Sequence, residues 1–164
     1  MTDITRKTRL GLTLLLSVLL LITAVTVLLP RRADAATGDV IAGWKNSFRL
    51  TTAANQQVDV GRLNLPAGKY AIFAKLFIGL PLPSGLKTTV RCALWAGVDN
   101  DQSIVDHDGN ISGVPIALNV VHDFTTPGQA VLTCGHDVVS GQTDLGMIKI
   151  TAISTGSLVN VPLP

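Results

Sequence analysis

Apolar and polar residues alternate along much of residues 36–164, in short runs that proline and glycine separate. Because successive side chains of a β-strand point to opposite faces, a period of two lets one face line a core while the other meets solvent. The apolar faces of four such runs comprise Val90, Cys92 and Leu94; Val114, Ile116, Leu118 and Val120; Ala130, Leu132 and Cys134; and Ile148, Ile150 and Ala152. We therefore predict strands near residues 39–44, 47–52, 57–65, 69–80, 86–96, 102–106, 114–124, 129–135 and 145–153.

The turns between these runs contain residues that end strands. Pro66–Gly68, Pro81–Gly85 and Thr126–Gly128 each combine a proline, which fixes φ, with a glycine, which permits positive φ. Glutamate is absent, and valine, isoleucine and threonine are abundant, which favours strands over helices. Eight or nine strands at this spacing predict an all-β fold with a single β-sandwich, for which the jelly roll is a natural candidate. A segment of this size can form one core, so residues 36–164 are predicted to be one extracellular domain.

Residues 1–35 have the layout of a signal peptide. A short basic segment precedes an uncharged run, Leu10–Leu29, and small residues stand at Ala33 and Ala35, so that Ala36 would start the mature chain. The run is also long enough for a retained single-pass anchor, since a helix of about 20 residues spans a bilayer. Both alternatives predict a hydrophobic N-terminal helix and place the rest of the chain outside the cytoplasm, either secreted or at the cell surface.

The excess of basic charge belongs to this leader. Of the thirteen Lys and Arg residues, five precede residue 36, compared with two of the eleven acidic residues. The rest of the chain then has eight basic and nine acidic side chains, so its formal charge changes from +2 to −1. A nearly neutral domain gives no support for a nucleic-acid partner.

The two cysteines, Cys92 and Cys134, each lie in a run that is predicted to be a strand. An even pair of cysteines in an exported chain is typical of one disulfide. The alternatives are a metal site or a reactive thiol, but the sequence has no Cys-x-x-Cys and no histidine at ligand spacing from either cysteine. We therefore predict a structural disulfide.

Four segments of the chain resemble exported actinobacterial proteins of unknown function: LPAGKYAIFAKLFI at 65–78, TTVRCALWAGVDNDQS at 88–103, IALNVVHDFTTPGQAVLTC at 116–134 and IKITAISTGSLVNV at 148–161. Those proteins have a similar LPAGKY strand, two cysteines and a similar closing strand. The order is also similar to the jelly roll of the C1q and tumour-necrosis-factor superfamily, whose Gly-x-Tyr strand Gly68–Tyr70 would match. That similarity implies a compact trimer that binds ligands through surface loops. Neither resemblance supplies catalytic residues.

An Asp-rich segment is the strongest candidate for a metal site. Asp99, Asp101, Asp106 and Asp108 offer closely spaced carboxylate oxygens, which are the ligands that Ca²⁺ prefers. The segment does not follow the EF-hand pattern, since Ile104 stands where that loop needs glycine. Aspartate is also an ordinary turn former, so the alternative is two loops that flank a short edge strand.

His107, His122 and His136 fall at the ends of predicted strands, where a polar residue normally marks emergence into solvent. Their wide spacing does not indicate that they converge on zinc. The sequence has no Gly-x-Ser-x-Gly motif, no glycine-rich phosphate loop and no basic–aromatic patch. We therefore predict that the protein is not an enzyme and has no cofactor; a small secreted hydrolase that uses the Asp-rich segment or His107 is an alternative.

Two further features bear on binding. The alternation places Trp95 with Arg91 on the face opposite Cys92, so Trp95 either forms an exposed platform for a ligand or is covered by another segment or subunit. The strand at 70–78 is apolar on both faces except for Lys75, which indicates that a further layer or a second copy covers it.

Together these features predict an exported, non-enzymatic cell-envelope or secreted module that self-associates or binds an extracellular protein or glycan. A trimer is the expected oligomer, and the N-terminal segment is the only expected contact with the membrane. The alternative is a small carbohydrate-binding module that uses Trp95 and Arg91 as its ligand face.

Overall fold

The computed structural model describes residues 36–51, 53–79, 87–107, 113–137, 142–159, 161 and 163. These residues form eight β-strands and no helix: β1 (Val40–Leu50), β2 (Val58–Leu65), β3 (Gly68–Ile78), β4 (Thr88–Ala96), β5 (Asp99–His107), β6 (Val114–Phe124), β7 (Gly128–His136) and β8 (Thr143–Thr155). A search of the same residues for a helix able to cross a membrane finds none. The predicted cleavage positions Ala33 and Ala35 and the predicted N-terminal helix lie outside the described residues.

The alternation located most of these strands to within a few residues. The separation of 39–44 from 47–52 is wrong, because β1 keeps one register against β8 along its whole length and is a single strand. The strand predicted at 102–106 is longer than expected. A two-residue turn at Gly97–Val98 joins β4 directly to β5 and brings residues 99–101 into the ladder.

The eight strands form two antiparallel four-stranded sheets. Sheet A has the order β1-β8-β3-β6, and sheet B has the order β2-β7-β4-β5. The inward side chains of both sheets belong to one buried cluster, which includes Ile72 and Ile150 from sheet A and Leu94 and Leu132 from sheet B. The prediction of an all-β sandwich is therefore confirmed, and each sheet has an outer face that does not contribute to this core.

Tyr70 is the largest side chain that is completely buried in this core. Its hydroxyl donates a hydrogen bond to the carbonyl of Pro66 at 3.3 Å, and its ring meets the edge of Phe124 with a centroid distance of 6.0 Å. Gly68 has a φ of 149°, and a Cβ there would lie 3.3 Å from the tyrosine ring. The Gly-x-Tyr segment thus places its tyrosine inside the sandwich, with the glycine providing the necessary room.

The predicted disulfide between Cys92 and Cys134 is confirmed. The two residues are direct cross-strand partners on β4 and β7, and their Cα atoms are 4.1 Å apart. Closing a loop of this length stabilises the fold by about 4 kcal/mol in the chain-entropy account. The bond also holds β4 and β7 in one register, and a slip by one residue would turn every side chain to the opposite face.

The turn between β4 and β5 requires a glycine. Gly97 has a φ of 59°, in the left-handed region that a residue with a Cβ rarely adopts. A Cβ at this position would also lie 2.5 Å from Nε2 of His122, which belongs to β6. The turn and the histidine therefore pack against each other where the edge strands of the two sheets meet.

Gly97→Ala should lower the free energy of unfolding by about 2 kcal/mol or more, because it adds both positive-φ strain and overlap with His122. Gly38→Ala is the matched control: Gly38 also has a positive φ, but nothing lies within 4 Å of an added Cβ. Urea denaturation of both variants measures the difference. If the two variants lose the same free energy of unfolding, His122 moves aside and its overlap with the added Cβ contributes nothing to the loss.

Candidate functional site

Trp95 and Arg91 both lie on the outer face of sheet B, as the alternation predicts. Trp95 is 38% exposed, so no segment in the described part of the chain covers it completely. Its Nε1 donates a hydrogen bond to Oγ1 of Thr133 at 3.3 Å, and Thr133 is the cross-strand partner of Ala93, not of Trp95. The indole therefore leans along the sheet towards buried Ala93, and its other side is available to a ligand.

Polar side chains flank this indole on the β5 side, whereas its cross-strand partner on β7 is Val131. Asn100 lies opposite Trp95 and Gln102 lies opposite Ala93, and Nε2 of Gln102 donates to Oδ1 of Asn100 at 3.2 Å. We use the name Trp95 face for the surface formed by Trp95, Arg91, Asn100, Gln102 and Thr133. An aromatic ring among amide, hydroxyl and guanidinium groups can stack on a sugar ring and hydrogen-bond its hydroxyls.

Two of the proposed calcium ligands reach across to the other sheet. Oδ2 of Asp99 lies 2.8 Å from Nδ1 of His122, and Oδ2 of Asp101 accepts a hydrogen bond from the backbone N–H of Asn119 at 2.8 Å. Both contacts join β5, at the edge of sheet B, to β6, at the edge of sheet A. They occupy polar groups that an open sheet edge would otherwise expose.

The remaining acidic residues of that segment do not join this pair. Asp106 points to the opposite side of β5 and accepts a hydrogen bond from Oγ1 of Thr89 at 2.9 Å. Among the residues that the structure describes, no three His, Cys, Asp or Glu side chains are close enough to hold a metal ion. Asp108 lies outside the described residues, so a calcium site that includes it stays a prediction.

His107 and His136 lie at the ends of β5 and β7, but the expectation that they emerge into solvent is wrong for both. Each follows an inward residue by two positions, so the alternation carries it into the interior, where it is almost completely buried. Nδ1 of His136 lies 2.9 Å from Oγ1 of Thr143. Neither ring nitrogen of His107 has a hydrogen-bond partner within the described ranges.

A cavity of about 420 Å³ lies beside His107, and its wall includes Asp137 and the start of β4. Asp137 accepts hydrogen bonds from the backbone N–H of Thr89 at 2.8 Å and from Oγ1 of Thr88 at 3.1 Å. The bond from the Thr89 amide is the main reason why the pKa of Asp137 is lower than its usual value. The carboxylate is therefore held in its ionised form, and its hydrogen bonds link the end of β7 to β4.

The outer face of sheet A is more apolar than the sequence analysis predicts. Its large exposed side chains are Val40, Trp44, Phe73, Val121, Met147 and Ile153. Four consecutive cross-strand partners, which we name the apolar row, cross the whole sheet: Val40, Ile153, Ala71 and Val121. The double-sided pattern at 70–78 indicated this surface, but the contributions of β1 and β8 were missed. The available signal was the period of two in Val40, Ala42 and Trp44.

Lys75 and Lys149 interrupt this face. They are exposed cross-strand partners on its two central strands, β3 and β8, and none of the ion pairs found among the described residues includes either lysine. Both lysines line a shallow cavity of about 280 Å³ together with Phe73, Asn119 and Thr151. Like charges directly opposite each other are unfavourable in a sheet, so this arrangement favours a negatively charged ligand.

Comparison with known proteins assigns no family to the chain. No protein-family model matches it, and no curated protein matches it.

Acidification should destabilise the protein through Asp137. A carboxyl whose pKa is lower in the folded state stabilises the fold above its unfolded pKa, and this contribution is lost as the pH falls through the folded value. The free energy of unfolding should therefore decrease below about pH 4, and Asp137→Asn should reduce that decrease.

Thr88→Val is the matched control for this prediction, because it keeps the bond from the Thr89 amide and should preserve most of the pH dependence. Denaturant unfolding at about pH 3 and about pH 7 provides the comparison. An Asp137→Asn variant as sensitive to acid as the wild type would contradict the assignment.

Proposed function

We propose that residues 36–164 are an exported, non-enzymatic module of the cell envelope or the extracellular medium, which self-associates or binds a partner through the outer face of sheet A. The observation that supports this is the apolar row, which is continuous across all four strands. Single exposed apolar side chains are normal on a monomer, whereas a contiguous patch is typical of an interaction surface. Trp44 and Phe73 extend the patch, and aromatic residues are enriched at the centres of interfaces.

The disulfide supports the export. Disulfides persist in oxidising compartments, so the bond between Cys92 and Cys134 is compatible with an extracellular location. The signal-like sequence of residues 1–35 provides the route. If the leader is retained, it anchors the domain at the cell surface instead of releasing it.

We further infer a jelly roll from the strand pairing. β1 pairs with β8, β2 with β7, β3 with β6 and β4 with β5, so that the pairs nest around the turn between β4 and β5. This is the pattern expected when one long antiparallel ribbon folds into the two sheets of an eight-stranded jelly roll. A jelly roll is the fold that the similarity to the C1q and tumour-necrosis-factor superfamily implies, and the trimer is proposed from that similarity alone.

A small carbohydrate-binding module is the second candidate, and the Trp95 face favours it. The hydrogen bond to Thr133 holds the indole in place, so stacking on a sugar would cost little additional ordering. Gln102 lies opposite Ala93, two residues along the strand from Trp95, and its amide can hydrogen-bond sugar hydroxyls, while Arg91 lies two residues further along the same face. On this proposal the two outer faces have different ligands.

Combining Phe73→Ser with Val121→Ser should weaken self-association about tenfold or more, because the contact loses two apolar side chains. The free energy of unfolding should change by about 1 kcal/mol or less, since both positions are partly exposed. Val98→Ser is the matched control, because Val98 is 87% exposed on the turn after β4 and lies outside this face. Sedimentation equilibrium measures self-association, and retention on envelope fractions of the host measures partner binding. A double variant that matches the wild type in both measurements would refute the proposal.

Trp95→Ala should weaken glycan binding about tenfold or more while the fold is retained, because stacking on the indole is lost. Trp44→Ala, on the other sheet, is the matched control and should bind glycans like the wild type. A glycan array followed by calorimetry on any glycan bound provides the measurement. If no glycan binds the wild type, or if both variants lose binding equally, the carbohydrate candidate is excluded.

A further inference from the structure

The charges on the outer face of sheet A are unevenly distributed. Opposite charges are neighbours in two places, where Lys69 lies opposite Asp123 and Arg49 binds Asp144 with hydrogen bonds of 2.6 and 2.9 Å. Lys75 and Lys149 instead lie opposite each other, with no acidic partner in the described part of the chain. Positive charge is therefore uncompensated at the centre of an exposed surface.

Large apolar side chains stand beside these two lysines. Trp44 is the cross-strand partner of Lys149 and is 75% exposed, and Met147, two positions along β8, is 71% exposed. Met147 also has a φ of 50°, a backbone conformation that a residue with a long side chain rarely adopts. This φ lies at the bulge where the register between β3 and β8 shifts between Lys75 and Phe77, and a bulge re-aims the side chain that it carries.

This combination fits the surface of an anionic bilayer. Tryptophan, with its apolar ring and polar N–H, is enriched at the boundary between membrane and water. A lysine stem can lie along apolar surface while its ammonium group reaches a headgroup phosphate. Trp44, Lys149 and Lys75 are consecutive cross-strand partners, so all three can meet one plane at the same time.

Two other occupants fit the part of the face around Lys75 and Lys149 less well. A second copy can cover the apolar row, but at the two lysines it would bring another pair of lysines into a contact of low dielectric constant, where unpaired charges are costly. The outward carboxylate of Asp123 is not available to neutralise these lysines, because it already lies opposite Lys69, two outward-facing cross-strand pairs away from Phe73. A small soluble anion could sit between the lysines, but it would leave Trp44 and Met147 in water. A bilayer supplies phosphates and apolar contact together.

We infer that the outer face of sheet A docks onto an anionic lipid bilayer, with Lys75 and Lys149 at the headgroup phosphates and Trp44, Phe73 and Met147 at the depth of the headgroups. This inference rests on the proposed function, because it takes the same face as the contact surface and names its partner. It adds a membrane contact to the one predicted for the N-terminal segment.

The chain provides its own reporters, because Trp44 and Trp95 are its two tryptophans and lie on opposite outer faces. Trp95→Phe leaves Trp44 as the reporter for sheet A, and Trp44→Phe leaves Trp95 as the reporter for sheet B. Full-length protein is mixed with vesicles of phosphatidylglycerol and phosphatidylcholine whose acyl chains carry bromine near the headgroup. Comparing the two reporters within the full chain separates docking of one face from any attachment through the leader.

Trp44 fluorescence should be quenched in these vesicles and Trp95 fluorescence should not. Combining Lys75→Gln with Lys149→Gln should reduce the docking constant about 30-fold, the factor that corresponds to losing about 1 kcal/mol for each lysine. The double variant of Lys87→Gln and Arg62→Gln is the charge-matched control, because Arg62 is an exposed residue of β2 in sheet B, and it should dock like the wild type. Salt at about 1 M should also release the face from the vesicles, so that the quenching of Trp44 fluorescence is lost.

Equal quenching of the two tryptophans, quenching by vesicles of phosphatidylcholine alone, or insensitivity to the two lysine substitutions would overturn the inference. A further outcome concerns the shielding of Trp44 from a quencher dissolved in the buffer. If dextran sulfate shields Trp44 as strongly as vesicles do, the face binds a soluble polyanion and the inference is overturned. If quenching fails while Phe73→Ser with Val121→Ser still weakens self-association, the proposed function stands and the lipid partner falls. If both experiments fail, both proposals fall.

Discussion

The register of the antiparallel ladders is the constraint on which both outer faces depend. Burying one alternate set of side chains fixes which set remains outside, because the side-chain period of a strand is two. Leu94 and Leu132 are partners in the core, and the disulfide between Cys92 and Cys134 pins the same pair of strands. A slip by one residue would carry Trp95 and Arg91 into the core and remove the Trp95 face.

The same rule gives the two sheets different outer chemistry. Sheet B presents an indole among amides and a guanidinium group, which suits a ligand rich in hydroxyls. Sheet A presents the apolar row and, beside it, two adjacent lysines, which suits a partner with both apolar and anionic parts. A formal charge near zero for the domain conceals this contrast, because it averages over two surfaces of different composition.

Contacts between the edge strands of the two sheets account for residues that the sequence suggested as metal ligands. Asp99 and Asp101 resemble metal ligands in the sequence, but in the fold they bind His122 and the backbone of Asn119 on the facing edge strand. Gly97 is part of the same contact, since His122 occupies the space that a side chain would need. Carboxylates at a sheet edge can thus be structural groups that close a sandwich.

Alternation along the chain was enough to locate the strands, their inward faces and the exposed position of Trp95, because each of these properties depends on residues a few positions apart. The even pair of cysteines behind a signal-like leader was likewise enough to predict the disulfide. The tertiary structure alone decided that β1 is continuous, that His107 is buried with no hydrogen-bond partner among the described residues, and that Lys75 lies opposite Lys149. Cross-strand neighbours can be more than 70 residues apart in sequence, and strand order, not local pattern, brings them together.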